Sequence, residues 1–304
     1  MSRPFDDTLA LIAGLPGPDE AARAAATQTL APLVGVGRLG ELALWMATWQ
    51  GRCPAQVRRP IVALYASAHA GAGEAEGAAR ARLQALAAGE GAISRAARTF
   101  GAGVEAFDLA LDRPTPDAAE RAALSERECA ATLAFGMEAL AKGPDVLILG
   151  ETTHGAERAA GALCLALFGG AASDWSATSD WAERAVVRAR AAGAAAPLEL
   201  LRELGGRETA ALAGAIMAAR VQRVPVVLDG YAACAAGAVL AALRADVLDH
   251  CLVADGGATP GLTALLARLG KVPLLHLGAD RGEGLAGVAA LALLRAACAL
   301  LGEA

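Results

Sequence analysis

Six short apolar runs, separated by alanine-rich helical stretches, constrain the fold of this chain more than any other feature. Their apolar residues are mostly continuous rather than alternating, as expected for strands of a parallel sheet that is covered on both faces. The alternation of strands and helices predicts an α/β fold with a doubly wound, mostly parallel sheet of about six strands. The predicted strands are Pro60–Ser67, Gly103–Leu111, Asp145–Gly150, Val224–Gly230, His250–Asp255 and Val272–Gly278.

The two ends of the chain have a different pattern. Residues 1–55 contain helical segments with no strand between them, and residues 285–304 are also helical. We therefore predict a helical subdomain over residues 1–55, with helix 285–304 packing on it, and a Rossmann-like α/β catalytic domain over residues 56–284. Trp45 and Trp49 lie one helical turn apart on one face, which suits either the core or a dimer contact.

Composition narrows the class of protein. The 304 residues suffice for one large α/β domain with a smaller partner, and 55% hydrophobic against 19% charged residues excludes a disordered chain. A net charge of −5 provides no basic stripe for a phosphate backbone, so we expect no nucleic-acid partner.

Hydropathy and cysteine usage indicate the cellular compartment in which the protein is expected. Long apolar windows such as Ala210–Gly230 carry arginines and a proline, whereas a membrane span needs about 20 consecutive, predominantly apolar residues. Acids and prolines interrupt the first 20 residues, which argues against a signal peptide. The six cysteines form no C-x-x-C pair and fit reduced, buried thiols. We expect a soluble, cytoplasmic protein with no membrane partner.

Glycine lies beside a carboxylate at four predicted strand ends. In open α/β sheets ligands bind beyond the carboxyl ends of the strands, so we expect these ends to converge on one rim that forms the candidate site. Glycine permits close backbone approach, and the acid accepts a proton or a hydroxyl hydrogen bond. The four ends are Gly150-Glu151, Asp229-Gly230, Asp255 with Gly257, and Gly282-Glu283-Gly284.

Glu283 has two interpretations. It can cap its helix or remain solvated, or it can act as a general base if a partly enclosed apolar pocket surrounds it. The glycines around it have the spacing of a dinucleotide-binding fingerprint but follow the last predicted strand, so we expect no dinucleotide cofactor. A phosphate or sugar near the N-terminus of helix 285–304 remains reasonable.

The histidines and two tryptophans complete the set of candidates. No two of the four histidines have ligand spacing, so we expect no metal site and no cofactor. His69 and His154 each follow a predicted strand and can line the cleft. Trp175 and Trp181 flank a polar segment that could cover it.

Several segments, in order along the chain, resemble the nicotinate-nucleotide:dimethylbenzimidazole phosphoribosyltransferases, which make the lower-ligand nucleotide of cobalamin. The similarity is clearest at "LLHLGADRGEG", which resembles the family's L-x-L-G-M-R-L-G-E-G, and at "LILGETTHGAERAAGAL", which is similar to its G-E-M-G-I-G-N-T-T loop. The other matching segments are Val34–Gly51, Leu64–Gly71, Gly89–Arg98 and Gly205–Gly237.

The resemblance implies a mechanism and a homodimer. Glu283 matches the family's general base, which removes a proton from one benzimidazole nitrogen while the other attacks the ribose C1′ of nicotinate mononucleotide. Glu151 would stabilise the charge that develops as nicotinate leaves. The matching loops add His154, Gly155, Arg158 and Arg281 to the substrate-binding residues.

The chain departs from the family pattern at the phosphate site. Ala156-Glu157-Arg158 replaces N-T-T, Ala68 replaces the aspartate of D-H-G, and Ala185 lies about where a lysine would fall. Lost charge-assisted bonds cost about 1.5–3 kcal/mol each, although Arg158 can partly replace the lysine.

Three hypotheses follow from these matches and departures. The first is an active phosphoribosyltransferase, and the second is a catalytically impaired paralog that acts as a ligand-binding or heterodimeric partner protein. The third is an unrelated nucleotide-binding module, which a structure with the Glu151 and Glu283 loops on opposite sides of the sheet would favour. We take the first as the prediction.

Overall fold

The computed structural model describes residues 3–279 and 281–302. The strands are β1 (Pro60–Ala66), β2 (Gly103–Asp108), β3 (Val146–Glu151), β4 (Val226–Leu228) and β5 (Cys251–Val253). The helices are α1 (Asp6–Ala13), α2 (Glu20–Leu30), α3 (Gly37–Gln50), α4 (Ala78–Ala87), α5 (Gly91–Thr99), α6 (Glu126–Gly136), α7 (Ala156–Phe168), α8 (Ser179–Ala191), α9 (Pro197–Leu204), α10 (Arg207–Val221), α11 (Tyr231–Ala241), α12 (Pro260–Leu269) and α13 (Leu285–Ala299). Among the described residues, no helix has the length and apolar character needed to span a bilayer.

The five strands form one parallel sheet in the order β2-β1-β3-β4-β5. This confirms the predicted doubly wound α/β class. The connection from β1 leads to β2 on one side, whereas β3, β4 and β5 follow on the other side. The strand order therefore reverses between β1 and β3, and in such sheets the ligand crevice lies at that reversal.

The sixth predicted strand is wrong. The segment Val272–Gly278 forms only a single parallel bridge, between Asp255 and Leu275. Pro273 has no N–H to donate to a ladder, and the backbone hydrogen bonds of the segment continue for only two residues, from Leu274 and Leu275. The segment therefore follows the end of β5 briefly and then leaves the sheet.

Both faces of the sheet are buried at its three inner strands, β1, β3 and β4, which explains their continuous apolar runs. In β1, Ile61 and Tyr65 belong to an apolar cluster with α6, α7, α10 and α11, whereas Val62 and Leu64 belong to a second cluster with α3, α5 and α13. Five of the six cysteines are buried, and all six are free thiols.

The helices from the two chain ends share the second apolar cluster. Met46 of α3 and Leu291 of α13 lie in that cluster together with Ile148 of β3. The division into residues 1–55 and 56–284 stays a prediction. Trp45 donates its indole N–H to the Asp249 carbonyl at 2.8 Å, and Trp49 packs under the Arg220 guanidinium. The dimer contact predicted for this helix stays a prediction.

Candidate active site

A polar cleft with a volume of about 490 Å³ opens where the strand order reverses. It is bounded by the segment after β3 together with the first turn of α7, by the loop after β1 and α4, and by the loop before α13. The lining residues are Ala72, Arg82, Glu151, Thr152, Thr153, His154, Gly155, Glu157, Arg158, Thr178, Arg281 and Glu283.

A smaller pocket of about 140 Å³ adjoins the cleft and is largely apolar. Leu64, Leu86 and Ile93 supply its aliphatic wall, with alanines of α4 and α5 beside them. Arg82, Thr152 and Glu283 line both cavities and therefore mark their junction. A planar apolar group in the small pocket would thus meet the contents of the cleft next to Glu283.

The loop that carries Glu283 is pressed against the ends of β3 and β4. A Cβ atom at Gly150 would lie 2.2 Å from the Gly282 carbonyl oxygen, and one at Gly230 would lie 2.4 Å from the Gly282 Cα. The Gly282 oxygen accepts the backbone N–H of Glu151 at 2.9 Å. Glycine is therefore required for this close approach, which brings Glu151 and Glu283 to one cleft. The two loops are not on opposite sides of the sheet, so the structure does not favour the third hypothesis.

Glu151 is a buried acid at the end of β3. One of its carboxylate oxygens accepts the backbone N–H of Thr153. Burial raises the pKa of Glu151 well above its usual value, and the charges of Glu208 and Glu283 raise that pKa further. The surroundings therefore favour the protonated carboxyl unless a positive charge lies beside it.

The acids after β4 and β5 are directed at backbone N–H groups. Asp229 accepts the N–H of Gly287, in the first turn of α13, at 2.7 Å. Asp255 accepts the N–H groups of Gly257, at 2.6 Å, and of Leu277. Neither acid lines the two cavities described above, and their predicted substrate contact stays a prediction, as does that of Gly230 and Gly257.

His69 faces a buried carboxylate and does not line the cleft. Its Nε2 lies 3.1 Å from Oε1 of Glu208, and the Ser67 hydroxyl donates to the other oxygen of that carboxylate at 2.5 Å. The His69 side chain is only 5% exposed. Direct contact with substrate, as the sequence predicts for His69, stays a prediction.

Two of the predicted substrate-binding side chains at the cleft are held by backbone carbonyls. Arg158 donates to the Gly71 oxygen at 3.0 Å and the Ala70 oxygen at 2.7 Å, with its guanidinium stacked on the Trp181 ring. The His154 ring nitrogen lies 3.0 Å from the Ala72 oxygen. Arg281 is exposed at the rim. The Arg158 guanidinium therefore places positive charge at the first turn of α7.

Sequence analysis missed Arg82, Thr152 and Thr153. Arg82 donates to the hydroxyl and carbonyl oxygens of Thr152 at 3.3 and 3.1 Å and pairs with Glu74. No motif marked it, because it lies in an alanine-rich helix. The two threonines stand in the matched loop, directly after Glu151, so their place beside an identified acid was the available signal.

The segment with Trp175 and Trp181 packs mainly against the protein. Trp175 is buried and donates its indole N–H to the Gly169 carbonyl at 2.8 Å, while Thr178 lines the cleft. Ala185, where the lysine of the resembled family would fall, is buried in the core. Within the part of the chain that the structure describes, no three His, Cys, Asp or Glu side chains are grouped as a metal site.

Comparisons with known proteins agree on one family. A family model described as "Phosphoribosyltransferase" matches residues 16–304. The nicotinate-nucleotide–dimethylbenzimidazole phosphoribosyltransferase of Sinorhizobium fredii is 45% identical over 98% of this chain and 94% of its own length. The enzyme of that name from Rhizobium etli strain CIAT 652 is 45% identical over 97% and 93%. A crystal structure of the enzyme from Thermus thermophilus has a TM-score of 0.84 at 28% identity, covering 94% of this chain and 97% of that one.

Proposed function

Because the chain belongs to the phosphoribosyltransferase family, we infer that it transfers the 5-phosphoribosyl group of nicotinate mononucleotide to a benzimidazole-type base. The observation that carries this inference is the position of Glu283 at the junction of a polar cleft and an apolar pocket. Direct transfer to a base that loses an N–H proton requires room for both substrates side by side, with a proton acceptor between them.

The polar cleft suits the phosphoribosyl donor. The first turn of α7 lines it, and the exposed N–H groups and positive dipole end of a helix favour a phosphate. Arg158, in the first turn of α7, and Arg281, in the loop before α13, both line the cleft and add positive charge to it. They support the proposal that phosphate binding here relies on guanidinium groups, since Ala185 replaces the lysine.

The apolar pocket suits the acceptor base. Leu64, Leu86 and Ile93 can cover the hydrocarbon edge and faces of a fused aromatic ring. A ring nitrogen at the mouth of the pocket would then lie beside Glu283.

The reaction forms one bond and breaks another at the ribose C1′. Glu283 accepts the proton from one ring nitrogen, and the lone pair of the other nitrogen attacks C1′. The bond from C1′ to the pyridinium nitrogen breaks, and its electron pair leaves nicotinate with a neutral ring. Glu151 also lines the cleft. There the pyridinium charge would favour its ionised form, and its carboxylate would offset positive charge at C1′.

An assay of both products tests this function. We expect nicotinate mononucleotide and dimethylbenzimidazole to give equal amounts of free nicotinate and ribosylated base. Chromatography measures both products. Leu86→Trp fills the apolar pocket and should raise the KM for the base at least about tenfold while changing the KM for the nucleotide less than about twofold. Leu9→Trp, at an exposed position of α1, is the matched control and should behave as wild type.

The absence of turnover would overturn the assignment as a transferase. A folded protein that releases no nicotinate with any benzimidazole, purine or phenolic acceptor is not a transferase. If either ligand still protects it against heat, the buried Ala185 and altered phosphate loop would then favour the catalytically impaired paralog.

We also propose that the protein is a cytoplasmic homodimer, as the family resemblance implies. The exposed apolar side chains Val34, Val272 and Leu277 support an interface. Light scattering on the purified protein measures the mass, and a monomer at all concentrations would contradict the proposal.

A further inference from the structure

Glu208 is a buried carboxylate to which the proposed reaction assigns no role. It lies in the first turn of α10, shielded from solvent, with Thr209 donating a third hydrogen bond to it at 3.1 Å. Its other partners, His69 and Ser67, are both buried side chains. Buried charges persist when they are paired and hydrogen-bonded, and this carboxylate meets both conditions.

Three hydrogen bonds, linked through the covalent frames of Ser67 and Thr153, join Glu208 to Glu151. The Ser67 hydroxyl donates to Glu208, and the Ser67 backbone N–H donates to the Thr153 hydroxyl at 3.0 Å. The Thr153 backbone N–H in turn donates to the Glu151 carboxylate. Ser67 follows β1 and Thr153 follows β3, so the path crosses the point at which the strand order reverses.

We propose that Glu208 and His69 are positioning residues for Glu151, which hold its carboxyl through Ser67 and Thr153 and control its charge from behind the cleft. This proposal rests on the function proposed above and deepens it. Neither residue needs to touch the substrate, which agrees with the burial of the His69 side chain.

The charges that face Glu151 support the proposal. They come from Glu208 on α10, Glu283 on the loop before α13 and Glu157 on α7. Burial would raise the pKa of Glu208, but the charge of His69 and hydrogen bonds from His69 and Ser67 outweigh burial and bring that pKa to about 2. The negative charge therefore stays on Glu208 and the proton on Glu151 until a cationic substrate ring lies beside Glu151.

Two substitutions should move the pH dependence of kcat in opposite directions. The rate should fall at low pH as Glu151 takes up its proton. Glu208→Gln removes a negative charge and should move this acid limb to lower pH by about one unit. His69→Gln keeps a hydrogen-bond donor but leaves Glu208 without its counter-charge, so the limb should move to higher pH. The KM for nicotinate mononucleotide should change less than about threefold in both variants.

Infrared difference spectra provide a readout that does not depend on turnover. At pH 7 the wild-type protein should show a protonated-carboxyl band that Glu151→Gln removes and that Glu208→Gln weakens. An acid limb that stays in place in both folded variants, or moves the same way in both, overturns the proposal. A protein that keeps the band but releases no nicotinate would instead contradict only the transferase function.

Discussion

Two pairs of strand-end acids look alike in the sequence and differ in the folded protein. Glu151 and Glu283 line the cleft, whereas Asp229 and Asp255 accept backbone N–H groups of neighbouring loops. All four stand beside glycine at or near the end of a predicted strand. The difference teaches that a glycine–carboxylate pair marks a place where backbone segments converge, and that the position of the acid in the folded protein decides whether it lines the cleft.

The sharpest test of this comparison is Glu283→Gln. The amide cannot accept the proton, and general base catalysis contributes about 100- to 10,000-fold, so kcat should fall by that factor with binding of nicotinate mononucleotide preserved. Single-turnover nicotinate release measures it. Glu157→Gln, at an exposed carboxylate on the same cleft, is the matched control and should stay within about threefold of wild type. Equal losses in both variants would place the base elsewhere.

Asp229 should affect stability in a pH-dependent way. Burial raises its pKa from 3.8 to about 6, so the folded state binds more protons than the unfolded state between these values. Stability from this group is then present below pH 4 and is lost as the pH rises through 6, a loss of about 3 kcal/mol. Asp229→Asn should remove this loss. In urea unfolding, the free energy of unfolding of the variant should therefore rise relative to that of the wild type between pH 4 and pH 7.

A non-titrating change nearby provides the control for Asp229. Leu285→Ala alters the exposed first residue of α13 and should keep the wild-type pH dependence of the unfolding free energy. If the unfolding free energies of Asp229→Asn and wild type instead differ by the same amount at every pH from 4 to 7, the carboxyl of Asp229 does not hold its proton as described.

Asp255→Ala should have the smallest effect on the reaction. It leaves the N–H groups of Gly257 and Leu277 without their acceptor, which costs about 1–3 kcal/mol of unfolding free energy. Because the carboxylate does not line the two cavities, kcat should stay within about threefold of wild type. A large loss of kcat at unchanged stability would show that Asp255 reaches substrate after all and would weaken the comparison.

The sequence alone determined the layers of the fold and two of the acids that line the cleft, Glu151 and Glu283. Continuous apolar runs require a sheet buried on both faces, and five of the six runs contain strands of that sheet. The prediction of a sixth strand was wrong because Pro273 lacks an N–H and the segment forms only a single bridge to the end of β5. Glu151 and Glu283 were found because each stands in a short motif with its flanking glycines.

Only the tertiary structure decided which groups surround those acids. Arg82 lies in an alanine-rich helix, and Glu208 is 139 residues from His69 along the chain, so no local pattern relates them to the cleft. The turning of Asp229 toward α13 depends on where the last helix begins relative to β4. Hydrogen bonds and charges act over a few ångströms in space, and strand order, which sequence spacing does not report, determines which side chains come that close.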